Sequence, residues 1–198
     1  MGSALMQQYI ASLPNGLDSY PSCQLKSSVL RGFCASVNVE RLRAALPEAL
    51  AALVERPPPP SDWIAEVKTT AIFLASADNN VTGESFVAHA YRTNYALLDS
   101  TMYRILFRLV GARRVLANAG KSWSQFHRGT TLSVDSFDEH ARRATVSLEA
   151  PAHHVPLLLA EGYATSIRAA VEISGHKDVH AAVEGHTPTR TLVSVRWS

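Results

Sequence analysis

A chain of 198 residues with 46% hydrophobic and 18% charged side chains can bury one sizeable core and is too apolar to be disordered as a whole. Its formal net charge of +2 is no electrostatic footprint for nucleic acid. No apolar run reaches membrane-spanning length, and Met1-Gly-Ser-Ala-Leu-Met6 has no basic region leading into an apolar stretch, so a cytoplasmic protein is expected.

Residues 4–12 suit a short helix that stops before the turn signal Pro14-Asn15-Gly16. Lys26 to Ala35 reads as a helix with Val29, Leu30, Phe33 and Cys34 on one face. Asn38 can cap the next helix, whose stripe of Leu42, Leu46, Leu50 and Leu53 is interrupted by Pro47. Cys23 and Cys34 are the only cysteines, and a lone pair in a domain of this size is expected to stay reduced. Pro57 to Pro60 form a stiff extended connector, which makes residues 1–60 a helical N-terminal extension of a single domain spanning 1–198. Beyond it a helix is expected from Trp63 to Ala75, apolar around most of its circumference as a central helix would be. Further helices are expected from Thr82 for about 15 residues, from Met102 to Val110, and from Arg113 to about Phe126.

After Gly129 the period changes from helical to two. Thr130 to Val134 and Ala144 to Leu148 alternate and form a hairpin. A long helix then runs from about Ala152 to Ile173, ended by Gly175. Val179 to Val183 and Thr191 to Trp197 make a second hairpin, with Val179, Ala181 and Val183 pointing inward and His180 outward. The expected fold class is α+β: helical for its N-terminal two-thirds, then a ββαββ unit with a four-stranded antiparallel sheet.

No motif of high chemical specificity accompanies this plan. Gly120-Lys121-Ser122 lacks the earlier glycine of a phosphate loop, since position 115 is Val115. Gly120 to Ser124 misses the final glycine of a nucleophile elbow. The histidines 176, 180 and 186 have no cysteine or carboxylate at ligand spacing, so no metal is expected. His153 and His154, at a helix start, are expected to be exposed or capping. Between Thr101 and Val134 stand Arg104, Arg108, Arg113, Arg114, Lys121 and Arg128 without one acid, a charge pattern that fits either a solvated surface or an anion-attracting face. Aromatic side chains gather in the same half, and lining of this kind with a few polar tips is how small-molecule sites are composed.

The segments Leu13 to Pro21, Lys26 to Gly32, Tyr103 to Phe107 and Gly111 to Ala117 resemble an uncharacterised myxobacterial paralogous family. The C-terminal plan of a helix pair followed by ββαββ is similar to vinyl-reductase-type and haem nitric-oxide-binding domains, which hold small molecules between helices and a sheet. The haem-ligating histidine and the Tyr-x-Ser-x-Arg signature of the haem-binding members match no stretch of this chain. The cysteine-rich end of some vinyl-reductase-type domains is missing too, and no cofactor is expected.

The leading expectation is a small-molecule-binding or sensory domain, its ligand held by Trp63, Tyr91, Tyr95, Tyr103, Trp123, His127 and Arg128. One alternative is an enzyme on the same scaffold, a cyclase or isomerase of a secondary metabolite with His127 or His89 as general base. Another is a protein-interaction module using the basic face of Arg104 and Arg108. The partners expected are a small organic ligand that could be anionic and a second copy of the chain, but neither nucleic acid nor a membrane.

Overall fold

The period-two segments of the C-terminal third pair as the alternation predicts. Strands β4 (Thr131–Asp138), β5 (Arg143–Glu149), β6 (His180–His186) and β7 (Arg190–Arg196) form an antiparallel sheet in the order β4-β5-β7-β6. The register sets Val134 opposite Val146, Val146 opposite Val193 and Val193 opposite Val183, a row of branched side chains across one face. β-Branched residues fit such a half-buried pleated surface. His180 is exposed and Val179 buried, as expected. The computed structural model describes residues 3–99 and 115–198.

Helix α8 (Leu157–Ile173) lies against β6 and β7, and α6 (Phe86–Leu98) packs along α8. Gly162 permits the close approach of these two helices, since a Cβ there would stand 3.1 Å from Phe86 Cε1. Helix α5 (Glu66–Asp78) is central, with Val67, Ala71, Ile72, Leu74 and Ala75 all buried. Helix α1 (Ala4–Ser12) packs on it, and α2 (Ser27–Cys34), α3 (Val39–Ala44) and α4 (Glu48–Glu55) complete the N-terminal helices. Met6, Leu30, Leu42 and Leu50 from residues 1–60 share one continuous core with Val146 and Val193 of the sheet. Both cysteines are free and buried, and burial pushes each thiol up to about 11. Among the described residues no helix is long and apolar enough to cross a membrane.

The helical part contains a second sheet that the helical periodicity of the sequence does not announce. β1 (Gln24–Lys26) is its central strand, with β2 (Trp63–Ala65) on one side and β3 (His127–Arg128) on the other, both antiparallel. The helices expected from Lys26 and Trp63 therefore begin at Ser27 and Glu66, each directly after a three-residue strand. A three-residue alternation is too short to compete with the helical stripe that follows it. Similarly, over its described residues the expected long helix to Phe126 is helical at 115–117, then forms helix α7 (Ala119–Trp123) and then β3. Gly120-Lys121-Ser122 thus lies inside a helix.

Candidate functional site

Glu66 begins α5 at the point where the chain leaves β2, so its carboxylate meets the positive end of the helix. The side chain is 1% exposed. Three donors from three parts of the chain reach it: His127 Nδ1 at 2.7 Å and Tyr163 Oη at 2.9 Å bond Oε1, and His154 Nε2 at 3.1 Å bonds Oε2. Burial alone would raise the pKa of this carboxyl. The charge of His127 and the hydrogen bonds from His127 and His154 outweigh it and hold the group down to about 2. Burial and the neighbouring Glu66 charge push the Tyr163 phenol well above its ordinary value, keeping it a neutral donor.

His127 is positioned locally. β3 alternates, so His127 points inward and is buried while Arg128 is exposed. Gly129, at φ +75°, turns the chain after them, and a Cβ there would meet Ser22 O at 2.7 Å. The His127 ring lies flat on Trp123, centroids 3.6 Å apart and planes 4° from parallel, with Tyr163 edge-on to both. Trp123 Nε1 in turn donates to Thr130 Oγ1 at 2.9 Å.

His154 comes from the segment before α8, which starts at Leu157 rather than near Ala152 because residues 151–156 form a non-helical turn with His153 at φ 60°. That turn is pinned by two tyrosines from the opposite end of the chain: Tyr9 Oη donates to His154 O at 2.9 Å and Tyr20 Oη to Ala152 O at 2.8 Å. His154 is buried and bonded to Glu66, which corrects the expectation of an exposed or capping histidine. Its Nδ1 is buried and has no partner among the described residues.

Beside this cluster opens a cavity of about 180 Å³ between α6, α8 and residues 115–126. Its wall is mainly aliphatic and aromatic, from residues such as Val29, Phe33, Phe86, Leu116 and Ile167, and His127, Tyr163 and Trp123 form one side. Not one Asp, Glu, Lys or Arg is among the described lining residues. On another side stands His89, 0% exposed, with Nε2 3.1 Å from Ser36 Oγ and Nδ1 3.2 Å from Glu84 Oε1 and 3.0 Å from an Arg92 guanidinium nitrogen. Burial lowers its pKa.

The residues expected at the site fall in different places. Trp123, His127 and His89 line the cavity. Tyr91 instead donates to Glu172 with the Arg168 guanidinium over its ring, and Tyr95 packs with Val115 and Ile173. Trp63 and Arg128 meet on the opposite face of the small sheet, where Arg128 stacks on the Trp63 ring at 3.8 Å and Lys26 lies 4.9 Å from it. Tyr103, Arg104 and Arg108 lie outside the described residues. Sequence reasoning misses Glu66, His154 and Tyr163 as members of a site. The one local signal is an acid set between Ile64 and Val67 on an otherwise apolar stretch; the partners come from 61 to 97 residues further along.

No protein-family model and no curated protein matches the chain. Several solved structures do. An H-NOX protein mutant from K. algicida, in its Fe(II) unliganded form, superposes with a TM-score of 0.61 at 11% identity, over 88% of this chain and 97% of that one. A structure probing haem distortion in the H-NOX family gives 0.59 at 10% identity, over 87% and 92%. A mutant of the T. tengcongensis H-NOX gives 0.56 at 12% identity, over 100% and 98%. At such identities the likeness establishes the fold: this chain has the α+β architecture of the haem nitric-oxide-binding domains.

Proposed function

We propose that this chain is a small-molecule-binding domain of sensory type whose ligand occupies the cavity between α6, α8 and residues 115–126. The observation that carries the reading is the cavity itself: about 180 Å³ of space walled by apolar side chains, with His127 fixed at its edge by a buried carboxylate. A few placed polar groups in an apolar concavity is the usual composition of such sites. The shared fold supports the reading, since the H-NOX structures include an oxygen-binding domain and haem-containing forms. Kinship with the myxobacterial paralogous family, carried by residues 13–21, 26–32, 103–107 and 111–117, belongs to the same proposal.

The described lining does not fit haem. Both ring nitrogens of His89 already have polar partners. His127 keeps Nε2 free among the described residues, so what opposes haem is the uncharged character and small size of the lining. No described lysine or arginine lines the cavity to meet carboxylate substituents, and burying them unpaired is costly. The volume of about 180 Å³ is also below the roughly 300–1,000 Å³ of sites for drug-sized ligands. Hemin added to the purified chain is expected to give no histidine-ligated Soret band.

Native mass spectrometry of freshly purified protein, with titration of an environment-sensitive apolar dye, tests the proposal. Ala90 lines the cavity, and Ala90→Phe is expected to lower dye affinity at least about tenfold by filling it. A folded variant that binds the dye as well as the wild type would sink the reading.

The Glu66–His127 pair favours a second reading, a cyclase or isomerase. A carboxylate on Nδ1 orients an imidazole for general-base work at Nε2. His127→Gln should then abolish turnover while retaining dye binding.

A further inference from the structure

The lining of the cavity restricts what can enter it. Its described wall carries no charged side chain, and an ionised group packed against that wall would be left unpaired, which is costly. The volume, about 180 Å³, is close to the roughly 150 Å³ of an engineered apolar cavity that accepts benzene. One or two rings fit that scale.

Several of the polar groups on the wall are committed, while Ser122, Gln125 and Ser166 also line it. Tyr163 Oη is bonded to Glu66, and Asn94 Nδ2 lies within reach of Gly162 O and Thr165 Oγ1 at 3.4 and 3.3 Å. His89 has partners at both nitrogens. His127 differs: Nδ1 is held by Glu66, and Nε2 makes no hydrogen bond to any described residue. The Glu66 contact and the Trp123 stack fix the ring, so Nε2 is a rigid polar point on an apolar wall.

Resting on the reading that this cavity is a ligand site, we infer that its ligand is an uncharged, largely apolar molecule of one or two rings. One hydroxyl-type group of it bonds His127 Nε2, and the rest packs among Phe33, Phe86, Leu116 and Ile167. A hydroxyl suits Nε2 in either protonation state, because it both donates and accepts.

Three probes of one shape separate the possibilities: naphthalene, 2-naphthol and 2-naphthoate, each measured by dye displacement from the full chain at pH 7. 2-Naphthol is expected to bind roughly fivefold more tightly than naphthalene through one added hydrogen bond. The naphthoate should bind at least about tenfold more weakly than 2-naphthol. In His127→Phe the advantage of 2-naphthol should vanish and naphthalene binding persist. Should that variant fail to fold, the wild-type order alone decides. Tightest binding by 2-naphthoate overturns the inference and leaves the cavity reading intact. Equal binding of naphthalene and 2-naphthol overturns the role of His127. If no probe displaces the dye and Ala90→Phe leaves dye binding unchanged, the cavity reading falls as well.

Discussion

Two Glu–His pairs border the same cavity from different sides, and their surroundings make them different devices. Glu66 is 1% exposed and its oxygens take donors from His127, His154 and Tyr163. Glu84 has a side chain 34% exposed and shares its oxygen between His89 and the outward Arg92. Solvent reaches the carboxylate of the open pair, Glu84, but barely touches that of the sealed pair, Glu66. In the sealed pair the carboxyl is held far below its ordinary value; in the open pair it is the histidine that burial shifts. At Glu66 the charge and hydrogen bonds of its partners outweigh burial, whereas at His89 burial outweighs the Glu84 partner, so the balance between the two sets each shift.

The largest expected effect comes from breaking the sealed pair. Glu66→Ala leaves two buried histidines and a buried phenol without their acceptor, and should cost about 3–5 kcal/mol in urea unfolding. Against a typical domain stability of about 5–15 kcal/mol, that brings the fold near its limit. A loss under about 1 kcal/mol would show that water enters the cluster and that the seal is not real.

The pH dependence separates the pairs next. A carboxyl whose folded pKa lies below the unfolded value stabilises the fold above the unfolded value and loses that contribution on acidification. For Glu66 the window runs from the ordinary 4.5 down to about 2. His89, also lowered, is favoured in its neutral form, so its contribution is present above 6.5 and declines as pH falls from there. Stability measured from pH 7 to pH 3 should therefore fall in two steps. Glu66→Gln should remove the lower step and His89→Phe the upper one; a single step surviving both substitutions would break the comparison. His89→Phe at pH 7 should itself cost about 1–2 kcal/mol, because Ser36 and Glu84 are then left without the imidazole as hydrogen-bond partner.

The same contrast explains what can be read from the sequence. The four-stranded sheet is legible because period-two alternation at Thr131–Val134, Ala144–Leu148 and Thr191–Val195 is a local signal that the pairing preserves. Trp123 and His127 are legible as a junction because helical period gives way to strand period between them. Glu66 is not. Standing at the start of a helical stripe, it looks like any acid in a first turn, and its meaning depends on His127 and His154, 61 and 88 residues away. His154 escapes for a related reason: two tyrosines at positions 9 and 20 fix its turn, and no local pattern around it announces them. Trp63, opposite Lys26, and Arg128, opposite Gln24, lie on the same face of the strands that flank β1, so they meet each other instead of the cavity. Three-residue strands give too few alternations to predict that side.

The smallest expected effect lies at the open pair. Glu84→Gln keeps a hydrogen-bond acceptor for His89 and removes only the charge shared with Arg92, whose side chain is 62% exposed. Exposed ion pairs of this kind contribute about 0–1 kcal/mol, and less as salt rises. The variant should therefore unfold within about 0.5 kcal/mol of the wild type, and the 2-naphthol preference, which belongs to His127 on the other side of the cavity, should be unaltered. If Glu84→Gln instead weakened 2-naphthol binding as much as His127→Phe, the polar contact would belong to His89. The open pair would then be the one that reads the ligand.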